Sequence, residues 1–177
     1  AAQAKHPRKD CRHILIHAQT IREEQLDRLG AAGYTPSFFT AHVYYWGDRH
    51  RDLFLGPERA ARMDPMRSAL DRGLVITAHC DSPSVPADPL LSIWASVNRL
   101  TSSGQVLGPD QRISVLEALR AHTFNPAWQN FQENAKGSIE PGKLADLVVL
   151  DANPLEVDPA ALRNIGILET IVGGKTV

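Results

Sequence analysis

The sequence has only two cysteines, Cys11 and Cys80, among 177 residues. Two thiols so far apart build neither a disulfide framework nor the C-x-x-C pair of a zinc ribbon or redox motif, so a reducing, cytoplasmic setting is expected. Long apolar runs are also missing. Charge, proline or histidine interrupts every hydrophobic stretch well short of the roughly 18–20 residues that cross a bilayer, and AAQAKHPRKDCRH has no apolar block behind its basic residues. Charge of one sign is not in excess either, with 19 basic against 20 acidic side chains and no run of like charges. Neither a nucleic acid nor a membrane surface is expected as a partner. The G-x-S-x-G elbow, the phosphate-cradling G-x-x-x-x-G-K and a G-x-G-x-x-G turn are absent, and Ser82 sits in a proline-flanked loop unsuited to a nucleophile.

What is present is a rhythm of short apolar runs and amphipathic segments. HILIHA (13–18) reads as a buried strand, and IREEQLDRLGAAG as a helix opened by a Thr20/Glu23 capping box and ended by Gly30 or Gly33. YTPSFFTAHV (34–43) reads as a second strand, residues 44–57 as irregular, and LVITAHC (74–80) as a third strand. Strand, helix, strand with short glycine-ended loops predicts parallel pairing, in half a barrel or a small open sheet. Helices are expected at about 89–101 and 112–124, the second opening near Ser114 and Glu117 with Leu116, Ala118 and Leu119 inward. From residue 137 the texture changes to a turn at Glu140-Pro141-Gly142, a strand at Ala145 to Asp151 and a last strand at Ile167 to Val172 before Gly173-Gly174. The division expected is therefore 1–136 and 137–177.

Reacting groups in parallel α/β folds gather at the carboxyl ends of strands, which selects His17, His42 and Asp81. Two neutral imidazoles and a carboxylate are a ligand set for Zn²⁺ or a similar divalent ion, and Asp81 could accept the proton of an activated water. His79 lies two residues deeper than Asp81 and His13 four residues deeper than His17, each on the same face, as outer partners, substrate contacts or packing. His6, His50 and His122 read as solvated or structural. Tyr44, Tyr45 and Trp46 either line a pocket for an apolar part of a substrate or cover the end of the fold. Arg99 reads as a surface salt-bridge partner, with carboxylate binding as the second reading. Cys80 points away from Asp81 on an alternating strand, against a nucleophilic role.

RHILIHAQ (12–19), TAHVYYWGD (40–48), LGPERAARMDPMRSALDRG (55–73), ITAHCDSPSVPADPLLSIWASVNR (76–99) and GSIEPGKLADLVVLDANPL (137–155) stand in an order that resembles metal-dependent amidohydrolases. The likeness is to the branch containing YtcJ-like proteins and N-substituted formamide deformylases. It implies the C-terminal part of a (β/α)₈ TIM barrel plus strands of a flanking β-sandwich, with a metal site at the barrel mouth. By position His17 looks like the ligand after the fifth strand, His42 like that after the sixth, and Asp81 like the eighth-strand aspartate that touches metal and shuttles a proton. Asp146 looks structural. The family's H-x-H pair and its bridging Lys, Glu or Cys have no counterpart in these residues, position 79 carries His where relatives more often have a small residue, and the seventh strand would be a very short piece near Arg62-Met63.

A complete barrel takes about 250 residues, so some 137 residues correspond to a little over four of its units. The expected function is hydrolysis of amide or other non-peptide C–N bonds of a small-molecule substrate through metal-activated water, with little activity from this piece alone. The alternatives are an inactive structural or assembly module of the same fold, or a cyclic-imide or lactone hydrolase. An unpaired edge on the first strand would be covered by a second copy of the chain or by the missing N-terminal part.

Overall fold

The computed structural model describes residues 2–177. After a short helix α1 (Ala2–Lys5), strand β1 (His13–His17) leads through helix α2 (Glu23–Ala31) to strand β2 (Tyr34–Phe38). Helix α3 (Ala41–Arg49) runs on into a π-helical turn (His50–Phe54) and is followed by α4 (Pro57–Ala61), α5 (Met66–Asp71) and the two-residue strand β3 (Thr77–Ala78). Helices α6 (Pro89–Asn98), α7 (Val115–His122) and α8 (Phe124–Gln129) precede β4 (Leu147–Leu150), β5 (Ile167–Val172) and β6 (Lys175–Thr176). The first three strands form a parallel sheet in the order β1-β2-β3, and the last three an antiparallel sheet. The chain is thus α/β, as expected.

Register fixes the site. His17 stands beside Phe38, and Phe38 beside Ala78, so the three strands end level and the residues after them share one rim. Under the sheet, Phe38, Ile76, Leu26 and Leu29 pack with Ile93, Trp94, Ala118 and Leu162 in one apolar cluster. The Trp94 indole N–H donates to the Ala160 carbonyl at 3.0 Å, tying the 3₁₀ segment Pro159–Asn164 to α6. At the opposite end of β1, the Arg12 guanidinium lies 4.3 Å from the Trp128 ring and 4.2 Å from that of Phe131, and pairs with Glu133 at 2.8 Å.

Helix ends follow local chemistry. Asp88 accepts from the Leu91 N–H at 3.0 Å with Pro89 in the first turn, and Ser114 and Glu117 form the expected capping box of α7. Ser114→Ala is expected to cost about 1 kcal/mol, measurable as a lower urea midpoint at unchanged slope.

Several expectations are corrected. Helix α2 starts after Arg22, whose N–H donates to Gln25 at 2.9 Å, so Thr20 and Glu23 are not the box. Strand β2 stops at Phe38, and residues 41–49, read as strand and irregular chain, are helical, with Ala41 packed on Phe39 and Val85 and Val43 on Ala60, Met63 and Leu107. Tertiary packing overrides aromatic β-propensity there. Leu116 is 54% exposed rather than inward. No strand lies near Arg62-Met63: Arg62 ends α4, Met63 is buried, and β2 pairs directly with β3. Three parallel strands are therefore present among the described residues, not a little over four. Arg99 is no surface residue; it is fully buried.

His122 is structural, with Nε2 3.1 Å from the Ser92 hydroxyl. Burial, helped by the charge of His79, pushes its pKa down to about 4 from the ordinary 6.5. The unfolded chain then takes up this proton first, so stability is lost as pH falls from about 6.5 to about 4 and levels off below. His122→Gln should flatten that slope by on the order of 2 kcal/mol, allowing for the part of the residue that touches solvent, as read from urea midpoints at pH 7 and pH 4.5.

Candidate metal centre

The rim of the parallel sheet brings His17, His79 and Asp81 together, each offering one ligand atom within 4.8 Å of the others. The Nε2 of His17 lies 3.8 Å from Oδ2 of Asp81, and the His17 and His79 rings are 5.1 Å apart at a steep angle. Strand register explains the meeting: β1 delivers His17 at its last residue, while the chain beyond β3 delivers His79 and Asp81 on one face, two residues apart. His17 and Asp81 both adopt left-handed backbone, with φ of 65° and 54°. For residues other than glycine that conformation is uncommon and gathers at functional turns, where it re-aims a side chain that a continuing strand would carry past the rim.

His79 is the residue that sequence reasoning undervalued. Its Nδ1 is 3.0 Å from the Ser37 hydroxyl, and its Nε2 is buried with no hydrogen-bond partner. With Nδ1–H donated to Ser37, Nε2 keeps its lone pair, the arrangement in which an outer hydroxyl orients a metal-binding imidazole. Burial, with the charge of His17 beside it, lowers the His79 pKa and keeps the ring neutral, the form a cation requires. The available signal was the two-residue spacing of His79 and Asp81. A buried, unpartnered nitrogen facing a second imidazole and a carboxylate fits a divalent cation.

His42 does not belong to this trio. It is the second residue of α3, not the end of a strand, and its ring stands 6.0 Å from that of His17. Its Nδ1 is buried and unpartnered, and burial together with His50 and His17 depresses its pKa to about 4. It packs against Phe39, Trp46 and His50 at ring separations of 4.4, 4.8 and 5.7 Å. His50, expected to be solvated or structural, reaches the Gln19 side chain at 3.2 Å. Tyr45 and Trp46 pack on the apolar group of Phe39, Ala41 and Val85, so the aromatic cluster forms a wall beside the imidazoles. The His13 ring lies 5.0 Å from that of Tyr34 at a tilt, away from the trio, and Ser82 lies exposed.

A cleft of about 660 Å³ follows the outer edge of β1, lined by Leu15, His17, Gln19, Gln25, Arg28 and Tyr34 among others. It reaches the trio only through His17. No helix among the described residues is long and apolar enough to cross a membrane. Asp146 accepts from the Gly173 N–H at 2.8 Å, a structural part in the antiparallel sheet.

Comparison with known proteins adds to this geometry. The sequence model of the amidohydrolase family matches residues 1–177. The N-substituted formamide deformylase of Arthrobacter pascens is 38% identical over 160 residues, which is 90% of this chain and 30% of that protein. The YtcJ protein of Bacillus subtilis is 31% identical over 181 residues, 98% of this chain and 33% of its own length. The chain therefore spans about a third of the relatives it matches. Among solved structures, a metal-dependent hydrolase from Pyrococcus horikoshii superposes with a TM-score of 0.69 at 26% identity, over 82% of this chain and 30% of that one.

Proposed function

The chain belongs to the amidohydrolase family, and from that premise we propose that it supplies part of the active centre of a metal-dependent hydrolase of non-peptide C–N bonds. The observation that carries the reading is the buried, unpartnered Nε2 of His79 beside His17 and Asp81. His17, His79 and Asp81 would hold a divalent ion, of which zinc suits two imidazoles and a carboxylate. Such an ion supplies Lewis-acid polarisation of a carbonyl and a lowered pKa for water. Asp81 is exposed and 3.8 Å from His17, so one of its oxygens is free to take a proton from water and return it to the departing amine as the C–N bond breaks. Ser37 holds the His79 ring in place, and the wall of Phe39, Tyr45 and Trp46 keeps one side of the centre dry. The substrate is a small molecule, for which the name of the Arthrobacter relative suggests an N-substituted formamide or a similar amide.

In this reading residues 1–136 are the closing units of a (β/α)₈ barrel, residues 137–177 are strands of a flanking β-sandwich, and the protein works in the cytoplasm. The metal reading is tested by inductively coupled plasma analysis of the chain beside a His17→Ala/Asp81→Asn variant. About one zinc per chain is expected in the first and almost none in the second; equal amounts would leave only a structural module.

Among the described residues the edge of β1 has no neighbour in its sheet, and Ile14, Leu15 and Ile16 are 39%, 40% and 54% exposed. An apolar open edge recruits another strand. The isolated chain is expected to elute as a dimer or larger species at micromolar concentration, covering the edge that another part of the barrel would otherwise occupy. A stable monomer on the sizing column would remove this expectation.

A further inference from the structure

Two turns border the centre. One follows β1 and carries Ala18 and Gln19 behind His17; the other follows β2 and carries Phe39 ahead of His42. Phe39 is the hub between them, its ring 5.7 Å from that of His17, 4.4 Å from His42 and 5.5 Å from His79. Asp64, far along the chain, is hydrogen-bonded to the first turn and electrostatically coupled to the second. Its N–H donates to the Gln19 carbonyl at 2.8 Å, and the Phe39 N–H favours its ionised carboxylate without the alignment of a full hydrogen bond.

Asp64 is fully buried, and its φ of 46° is a left-handed value that a residue with a side chain seldom takes. Both carboxylate oxygens lack a hydrogen-bond partner. Burial pushes its pKa up, while Arg99, equally buried, pulls it down. The Arg99 guanidinium donates to the main-chain carbonyls of Met63 at 2.7 Å, Leu107 at 2.9 Å and, at the long distance of 3.4 Å, Asp64 itself. A left-handed backbone and a buried carboxylate are both costly, and here they coincide at the residue that joins the turn after β1 to the turn after β2.

We propose that Asp64, anchored by Arg99, is a positioning residue of the His17–His79–Asp81 centre: it holds the turn that carries His17 and the turn that carries Phe39, whose ring packs on both His17 and His79. The proposal rests on the metal reading only for the readout that uses a metal.

The test takes the whole chain with Asp64→Asn and, separately, Arg99→Lys. In metal-free protein, ¹H–¹⁵N spectra of the imidazoles should show His17 and His79 displaced while His122, in the core, stays in place. On titration with Co²⁺, binding should weaken about tenfold, as when an outer partner of a ligand is lost, and the visible bands should shift. Imidazole signals unmoved by either variant overturn the proposal, as do signals that move together with His122, which would report general loosening. Should Asp64→Asn fail to fold, Arg99→Lys carries the comparison; if neither folds, the pair serves global stability and the positioning role is refuted. A wild-type chain that takes up no Co²⁺ sinks the metal reading and leaves the imidazole comparison standing.

Discussion

Alanine at position 79 is expected to weaken zinc binding by at least about 100-fold, beyond the 10–100-fold typical of losing an outer partner, whereas alanine at position 42 should leave one ion per chain. The difference follows from geometry. His79 presents a buried, unpartnered Nε2 to His17 and Asp81, while His42 starts a helix with its ring 6.0 Å from that of His17. Competition with a chromophoric chelator at pH 7.5 reads both affinities. The reverse order, with His42→Ala empty and His79→Ala loaded, would restore His17, His42 and Asp81 as the ligand set and refute the arrangement described above.

Phe38→Ala should cost about 3–5 kcal/mol, the range for deleting a large aromatic side chain from a packed core. Phe38 is fully buried on the central strand, in register with His17 on one side and Ala78 on the other. Single domains hold only about 5–15 kcal/mol in all, so the variant should sit near its unfolding midpoint in mild urea. Loss of the side chain also removes the packing that keeps β1 and β3 level, so zinc affinity should fall with stability. A urea midpoint within experimental error of the wild type would show that the parallel sheet is not the folding core.

Much of this was legible in the sequence. The β1-α2-β2 rhythm, the Ser114/Glu117 cap, β5 between Ile167 and Val172, and the pairing of His17 with Asp81 each depend on a few neighbouring residues or on the shared tendency of strand ends to meet at one rim. The strand expected through His42 was misread because YTPSFFTAHV has strand-like composition throughout, while the backbone turns into helix after Thr40. Nothing local announces that turn. Thr40 is buried, and its hydroxyl reaches Ser92 on α6, 52 positions away.

Arg99 and Asp64 make the same point from the interior. A lone arginine ending a helix reads as a surface residue, since a guanidinium is seldom fully buried unless its donors are satisfied. Here carbonyls of Leu107, eight positions on, and Met63, 36 positions back, satisfy it.

The sequence alone determined the β1-α2-β2 rhythm, the cap of α7 and the strand β5, and it placed His17 and Asp81 at one rim, because periodicity, capping and motif order are properties of adjacent residues. Only the tertiary structure decided that β2 lies directly against β3, that His79 rather than His42 comes within ligand distance of both His17 and Asp81, and that Asp64 and Arg99 are buried together. Those outcomes depend on strand register and on distant main-chain groups meeting buried side chains, which no local pattern encodes.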